Sequence, residues 1–287
     1  MSFRKNAAIA TLSPLLAFGL RAALAANPVH DANELVAQHL NSIADPTIRA
    51  GLKSRVVEGS VHFQILVGGA GGLSGTASLA SEGEKLQFLM KFLNPQYDGE
   101  QFVFDGKKFK VAFSTARQTR SALGNFVLVR NEVIREGLLG GTLSTAWPLL
   151  NLDERKAKLK FNGLKKIDGQ QLYELDYQPH RSSDLEIKLY FDPETCRHVE
   201  TTYVYTTKEG LVQGGAPAQA AQLPSRYRLE EKFSDFKTVD GFTLPTRDEI
   251  QLSQEPQSGR TILFEWDLRD LDVSNNRPVD SHNFDVN

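Results

Sequence analysis

Strict alternation of apolar and polar residues is the feature that most constrains this chain. It begins after Arg55 and runs almost to the C-terminus. The clearest segments are 57–65, 87–92, 108–113, 185–191 and 262–269, and the series is extended by 173–177, 198–206, 227–236 and 242–252. Successive side chains of a strand point to opposite faces, so the pattern predicts many strands with one buried face each.

Short turn sequences join these segments. The turn pairs are Asp98-Gly99, Asp105-Gly106, Asp168-Gly169, Asp192-Pro193 and Asp240-Gly241. Such turns connect antiparallel neighbours, and the absence of crossover helices argues against a Rossmann fold or a TIM barrel. We therefore predict an α+β protein built on a single half-open antiparallel β-barrel of about ten or eleven strands.

Two segments break the β pattern. Residues 31–44 predict an amphipathic helix, with Asp31 as N-cap, Glu34 three residues later and His39 packed among apolar neighbours. Residues 131–150 predict two short helices, with Asn131 as N-cap and glycines at their hinge. These helices cover a sheet face, either as simple core packing or as a movable lid.

The N-terminus has the order of a secretion signal. Arg4 and Lys5 precede a mostly apolar stretch over residues 7–20, and Ala23-Leu24-Ala25 provides a cleavage pattern. We predict a signal peptide over residues 1–25 and one lipid-binding domain over 26–287, which is exported to the periplasm. The glycine cluster at 68–75 and the low-complexity stretch at 208–225 are predicted to be flexible loops.

The sequence contains no motif of an established catalytic site. It has no G-x-S-x-G elbow, no P-loop, one cysteine (Cys196), and six histidines without an H-E-x-x-H pair. The acidic pairs Glu230-Glu231 and Asp270/Asp272 are typical of solvated faces and strand ends. A net charge of −2 gives no basic excess for nucleic acid. We predict no enzyme, no catalytic residue, no cofactor and no metal ligand.

Phenylalanine dominates the aromatic residues, with 17 Phe against 7 Tyr and 2 Trp. Rows of apolar side chains on one sheet face suit a cavity for an acyl chain, because each buried CH₂ contributes about 0.8 kcal/mol. The predicted cavity residues are Phe88, Met90, Phe92, Phe102, Phe104, Phe109, Val111 and Phe113. The predicted lid residues are Leu138, Leu139, Leu143 and Trp147. The alternative for both sets is ordinary core packing.

Several short motifs resemble the periplasmic lipoprotein-carrier (LolA/LolB-like) superfamily. They are Gln101 to Val111 with its Asp-Gly-Lys turn, Leu189 to Thr195, Asp240 to Pro245, and the closing Asn283 to Val286, which resembles a terminal Phe-containing strand. The resemblance covers residues 31–287. It implies a half-open barrel with a helical lid. Carriers of this superfamily latch the lid with an arginine on an early strand, and residues 79–85, which align best with that strand, contain none.

The resemblance also implies a function. It indicates a monomeric periplasmic carrier or chaperone, which binds the acyl chains of lipoproteins or another lipid and ferries them toward the outer membrane. Its partners would be the acylated protein or lipid cargo and membrane-associated loading and receiving proteins, with no nucleic acid. The main alternative is an envelope-stress sensor or regulatory lipid-binding domain on the same fold. An enzyme at the barrel mouth and a filled barrel without ligand are further alternatives.

Overall fold

The computed structural model describes residues 29–95, 97–113, 120–207, 225–257 and 259–286. The predicted signal peptide and nearly all of the predicted loop at 208–225 lie outside these ranges. Across the described residues, none of the helices combines the length and the apolar character needed to cross a membrane.

The described chain contains fourteen strands and a few short helices. The strands are β1 (Ser54–Val67), β2 (Gly72–Glu82), β3 (Lys85–Phe92), β4 (Gly99–Phe104), β5 (Phe109–Phe113), β6 (Lys158–Ile167), β7 (Gln170–Gln178), β8 (Glu186–Phe191), β9 (His198–Thr207), β10 (Ser225–Ser234), β11 (Lys237–Val239), β12 (Phe242–Leu244), β13 (Arg247–Pro256) and β14 (Ile262–Asn275). The α-helices are α1 (Ala32–Ile43), α2 (Pro46–Ala50), α3 (Ala122–Val129), α4 (Glu132–Arg135) and α5 (Leu152–Arg155), and 3₁₀ turns lie at Gly141–Leu143, Pro148–Asn151 and Ser281–Phe284.

Twelve strands form one antiparallel sheet in the order β5-β4-β3-β2-β1-β14-β13-β10-β9-β8-β7-β6, and β11 and β12 form a separate hairpin. The predicted α+β class and antiparallel meander are confirmed. The predicted barrel of ten or eleven strands is wrong, because the sheet has twelve strands and is open. The alternation does not reveal β6, since a bulge between Phe161 and Gly163 interrupts its lysine-rich pattern.

The edge strands β5 and β6 follow one another in the chain, so the segment between them must span the opening of the sheet. The described part of this segment, residues 120–157, forms a plug. Every residue from 137 to 149 is buried. The sheet therefore curves around the plug, and the hydrophobic core lies between them.

The N-terminal helix α1 agrees with its prediction. The Asp31 carboxylate accepts a hydrogen bond from the Glu34 amide at 2.9 Å, as an N-cap does. Leu35, His39 and Ile43 are buried along its inner face.

Three other local predictions need correction. The segment 131–150 is one helical turn followed by 3₁₀ turns, and it is enclosed by the sheet rather than laid over it as two helices. Asn131 stands at the N-cap position, but its side chain makes no capping hydrogen bond. The C-terminal residues 281–284 form a 3₁₀ turn with Phe284 buried, where a strand was expected.

Candidate functional site

The predicted cavity residues share one face of β3, β4 and β5. Phe88 pairs with Phe102, which pairs with Val111, and Phe104 pairs with Phe109. The rings of Phe88 and Phe102 stack with centroids 6.0 Å apart. Six of the eight predicted side chains are buried, and Phe109 and Phe113 are half-buried.

The plug fills the space in front of this face. Leu138, Leu139, Leu143 and Trp147 are all buried, with Trp147 fully so. A void between Leu143, Val57 and Phe88 measures about 10 Å³, which is room for about one water molecule. A role of these twelve residues in ligand binding stays a prediction, and it requires the plug to move.

Polar contacts hold the plug in place. Arg55 donates from Nη1 to the Thr142 carbonyl at 2.7 Å, and the Thr145 amide donates to Ser81 Oγ at 2.9 Å. Arg55 thus ties β1 to the plug. It lies outside residues 79–85, which contain no arginine.

Arg55 is almost completely enclosed. Its Nε donates to Asn275 Oδ1 at 2.8 Å, and its guanidinium lies 4.9 Å from the centre of the Phe242 ring. Burial lowers the pKa of Arg55 to about 9. Neutral acceptors and an aromatic ring hold the Arg55 cation here. Its contact with the plug therefore depends on the planar geometry of the guanidinium group.

Glu231 is the second polar anchor. It accepts hydrogen bonds from the Gly140 amide and from the Tyr203 hydroxyl, both at 2.8 Å. Its assignment to a solvated face is wrong, because alternate residues of β10 point to opposite sides and Glu231 points inward. Burial raises the pKa of Glu231 to about 7, and burial also raises the pKa of the neighbouring Asp248.

Two buried histidines pack around Trp147. The ring centroids of Trp147 and His198 are 4.5 Å apart, and Phe233 lies 4.9 Å from His198 on another side. Burial lowers the pKa of His39 to about 4 and the pKa of His198 well below its usual value. Both imidazoles are therefore neutral packing groups at ordinary pH.

The described part of the plug leaves one stretch of the plug-facing sheet surface at the floor of an open cleft. Leu73, Phe63 and Trp266 are paired neighbours on β2, β1 and β14, and Phe264 lies one step along β14. They line an open cleft of about 270 Å³, which ends against Ala122 at the start of α3. The rings of Phe63 and Trp266 are 5.1 Å apart. The lining of this cleft is predominantly apolar.

The cleft has a short polar rim formed by Tyr97, Arg120 and Ser121. The ring of Tyr97 packs 5.5 Å from that of Phe92, a member of the predicted row. The cleft is therefore contiguous with the buried face under the plug. Ser121 donates its amide to the Glu100 carboxylate at 3.2 Å and also donates its hydroxyl to it, which fixes the start of α3.

The sequence predictions missed this cleft. Phe63, Phe264 and Trp266 were assigned to strands, but nothing local distinguishes them from core residues. Their position beside the start of the plug depends on the pairing of β1 with β14, which lie some 200 residues apart along the chain. The aromatic residues at 264 and 266 were the available signal, but the sequence does not show that Trp266 is buried while Phe264 stays half-buried.

The architecture is an open antiparallel sheet wrapped around a helical plug with an apolar cleft beside it. No protein-family model and no curated protein matches the sequence. Among solved structures, the chain is similar to a LolA superfamily protein from Nitrosomonas europaea, with 13% identity, 90% of this chain and 98% of that chain covered, and a TM-score of 0.48.

Two further solved structures are similar over most of both chains at low sequence identity. A candidate outer membrane lipoprotein-sorting domain from Vibrio parahaemolyticus is 11% identical, with coverage of 87% and 95% and a TM-score of 0.42. A chain of the MucA/MucB complex from Pseudomonas aeruginosa is 10% identical, with coverage of 85% and 100% and a TM-score of 0.22. The resemblance to the LolA superfamily is confirmed as a likeness of fold. At these identities it transfers no function.

Proposed function

We propose that the protein is an exported carrier that binds the acyl chain of a lipid or of an acylated protein. The observation that carries the proposal is the cleft between Leu73, Phe63, Phe264 and Trp266, an apolar part of the sheet surface that the described part of the plug does not cover. Its volume of about 270 Å³ lies near the lower end of the range for small-molecule sites, about 300 Å³.

The geometry suits a flexible chain better than a polar substrate. Aromatic and aliphatic side chains form the floor, and a CH₂ group buried there contributes about 0.8 kcal/mol. The contact of Tyr97 with Phe92 makes the cleft continuous with the face under the plug. In this proposal a short chain fills the cleft alone, and a longer chain displaces part of the plug.

No catalytic role is included in the proposal. The buried carboxylates and imidazoles, including Glu231 and His39, make their contacts inside the core and do not line the cleft. The signal at residues 1–25 supports a periplasmic location. Delivery toward the outer membrane, with separate loading and receiving partners, is the finer part of the proposal.

Native mass spectrometry of the protein purified gently from a bacterial periplasm tests the proposal. We expect a bound lipid or acylated peptide at a near one-to-one ratio, identified after organic extraction. A protein that carries no lipid and binds no fluorescent fatty-acid probe would overturn acyl binding. A stable complex with another protein in its place would favour a regulatory role.

A substitution in the cleft locates the site. We expect Leu73→Gln to weaken binding of an acyl probe at least tenfold, because it places an amide on the apolar floor. Leu164→Gln is the matched control, since Leu164 is exposed on the distant edge strand β6. Equal affinities of the two variants would remove the cleft from the binding site.

A further inference from the structure

We propose that the chain bound in the cleft ends in an anionic group, which Arg120 holds at the mouth. This inference rests on the proposed function and specifies its ligand class as a single acyl chain with an anionic end. The other rim residues, Tyr97 and Ser121, are neutral, so Arg120 is the one charged side chain that lines the opening within the part of the chain that the structure describes.

Arg120 has no compensating partner among the residues that the structure describes. Its buried Nε donates no hydrogen bond to any of these residues, and no carboxylate of these ranges lies within ion-pair distance of Arg120. Its guanidinium lies 5.2 Å from the centre of the Phe113 ring, which leaves the charge without an anion. Elsewhere, arginines such as Arg130 and Arg247 are paired with carboxylates at 2.7–2.8 Å.

Glu100 is a carboxylate whose pKa is affected by the charge of Arg120. Its oxygens already accept hydrogen bonds from Ser121. It is fully buried and accepts from the amide and the hydroxyl of Ser121. Burial raises the pKa of Glu100, and the hydrogen bonds from Ser121 and then the charge of Arg120 oppose this. Glu100 therefore positions α3 through Ser121 and makes no ion pair with Arg120.

The Arg120 guanidinium beside the aromatic floor favours amphiphiles with an anionic end group over those with a neutral one. Arginine donates paired hydrogen bonds to carboxylate or phosphate, and such charge-assisted bonds are about twice as strong as neutral ones. A neutral end group would leave the arginine unpaired at the mouth. The anionic end can come from a fatty acid or from a lysophospholipid, which share a single chain and a terminal anion.

The test compares three twelve-carbon probes on the full secreted protein by isothermal titration calorimetry: dodecanoate, dodecyl phosphate and dodecanol. We expect both anionic probes to bind at least tenfold more tightly than dodecanol. Arg120→Gln should reduce this preference to within about twofold, and Arg120→Lys should retain part of it. Arg226→Gln, which removes an exposed arginine paired with Glu255, should leave the preference unchanged.

The outcomes separate the inference from the function on which it rests. If dodecanol binds as tightly as dodecanoate, or if Arg120→Gln keeps the preference, the anionic end is overturned and acyl binding stands. If none of the probes binds, both fall. Tighter binding of dodecanoate than of dodecyl phosphate points to a fatty acid, and the reverse order points to a lysophospholipid.

Discussion

The indole Nε1 of Trp147 donates a hydrogen bond to Nε2 of His39 at 3.0 Å, which joins the plug to α1. The other imidazole nitrogen, Nδ1, faces the Cys196 carbonyl at 3.1 Å and donates to it when Nε2 is the acceptor. This chain of contacts connects the plug, α1 and the turn before β9. The plug is therefore held through Trp147 as well as through its contact with Arg55.

Trp147→Phe should lower the free energy of unfolding by about 1–3 kcal/mol, because it leaves the buried His39 Nε2 without a donor. Trp266→Phe is the matched control. Trp266 is equally buried, but its indole N–H has no partner among the described residues, so no bond is lost. Urea unfolding of both variants checks the prediction, and equal losses would contradict it.

Arg55→Lys should loosen the plug. Lysine cannot donate at the same time to Thr142 and Asn275 in the planar geometry of arginine, and we expect a loss of about 1–3 kcal/mol. Amide hydrogen exchange across residues 137–149 should rise at least tenfold. Arg226→Lys, at an exposed ion pair, should change stability by less than about 0.5 kcal/mol. Unchanged exchange in Arg55→Lys would remove this arginine as a latch.

Gly137→Ala tests how tightly the plug is packed. Gly137 has φ 71°, and a Cβ there would lie 2.0 Å from the Ala146 carbonyl oxygen. Gly106 has φ 93° in a surface turn, with open space around its Cβ position. Both alanines incur about 1–2 kcal/mol for the left-handed backbone, but only Gly137→Ala also clashes. We expect Gly137→Ala to lower the free energy of unfolding by at least about 2 kcal/mol more than Gly106→Ala does, as measured by thermal or urea unfolding. Similar costs would mean that the plug yields easily.

Glu231 should make stability depend on pH. Its pKa is raised to about 7 by burial, so the folded state holds a proton that the unfolded chain loses near pH 4.5. The stability contributed by the protonated form is complete below pH 4.5 and is lost as pH rises through about 7. The lowered pKa of His39 has the opposite effect, because it makes the free energy of unfolding rise as pH increases from about 4 to 6.5.

Comparison of Glu231→Gln with the wild type isolates the Glu231 contribution. Glutamine can still accept from the Gly140 amide through its oxygen, and its NH2 group can donate to the Tyr203 hydroxyl oxygen, but it does not ionise. The stability of the variant relative to the wild type should rise by at least about 1 kcal/mol from pH 5 to pH 8, since a difference of one in pKa is worth about 1.4 kcal/mol. Urea unfolding at the two pH values measures this, and a constant difference between the proteins would refute it.

The sequence by itself determined the local structure of this protein. Alternation within each segment places Phe88 and Phe102 on one sheet face, and the Asp-Gly pairs mark turns that the structure contains. Asp31 caps α1 as its spacing indicates. These features depend on residues close together in the chain, where backbone geometry and side-chain period act directly. The signal peptide and its boundary at residue 25 stay predictions.

Only the tertiary structure decided what covers the apolar face. The enclosure of residues 137–149, the contact of Glu231 with Gly140 and the contact of Arg55 with Thr142 depend on strands and turns far apart in sequence. The cleft exists because β1 and β14 extend past the start of the plug. A strand pattern shows that a face is apolar, but packing between distant segments determines whether the plug or a ligand covers it.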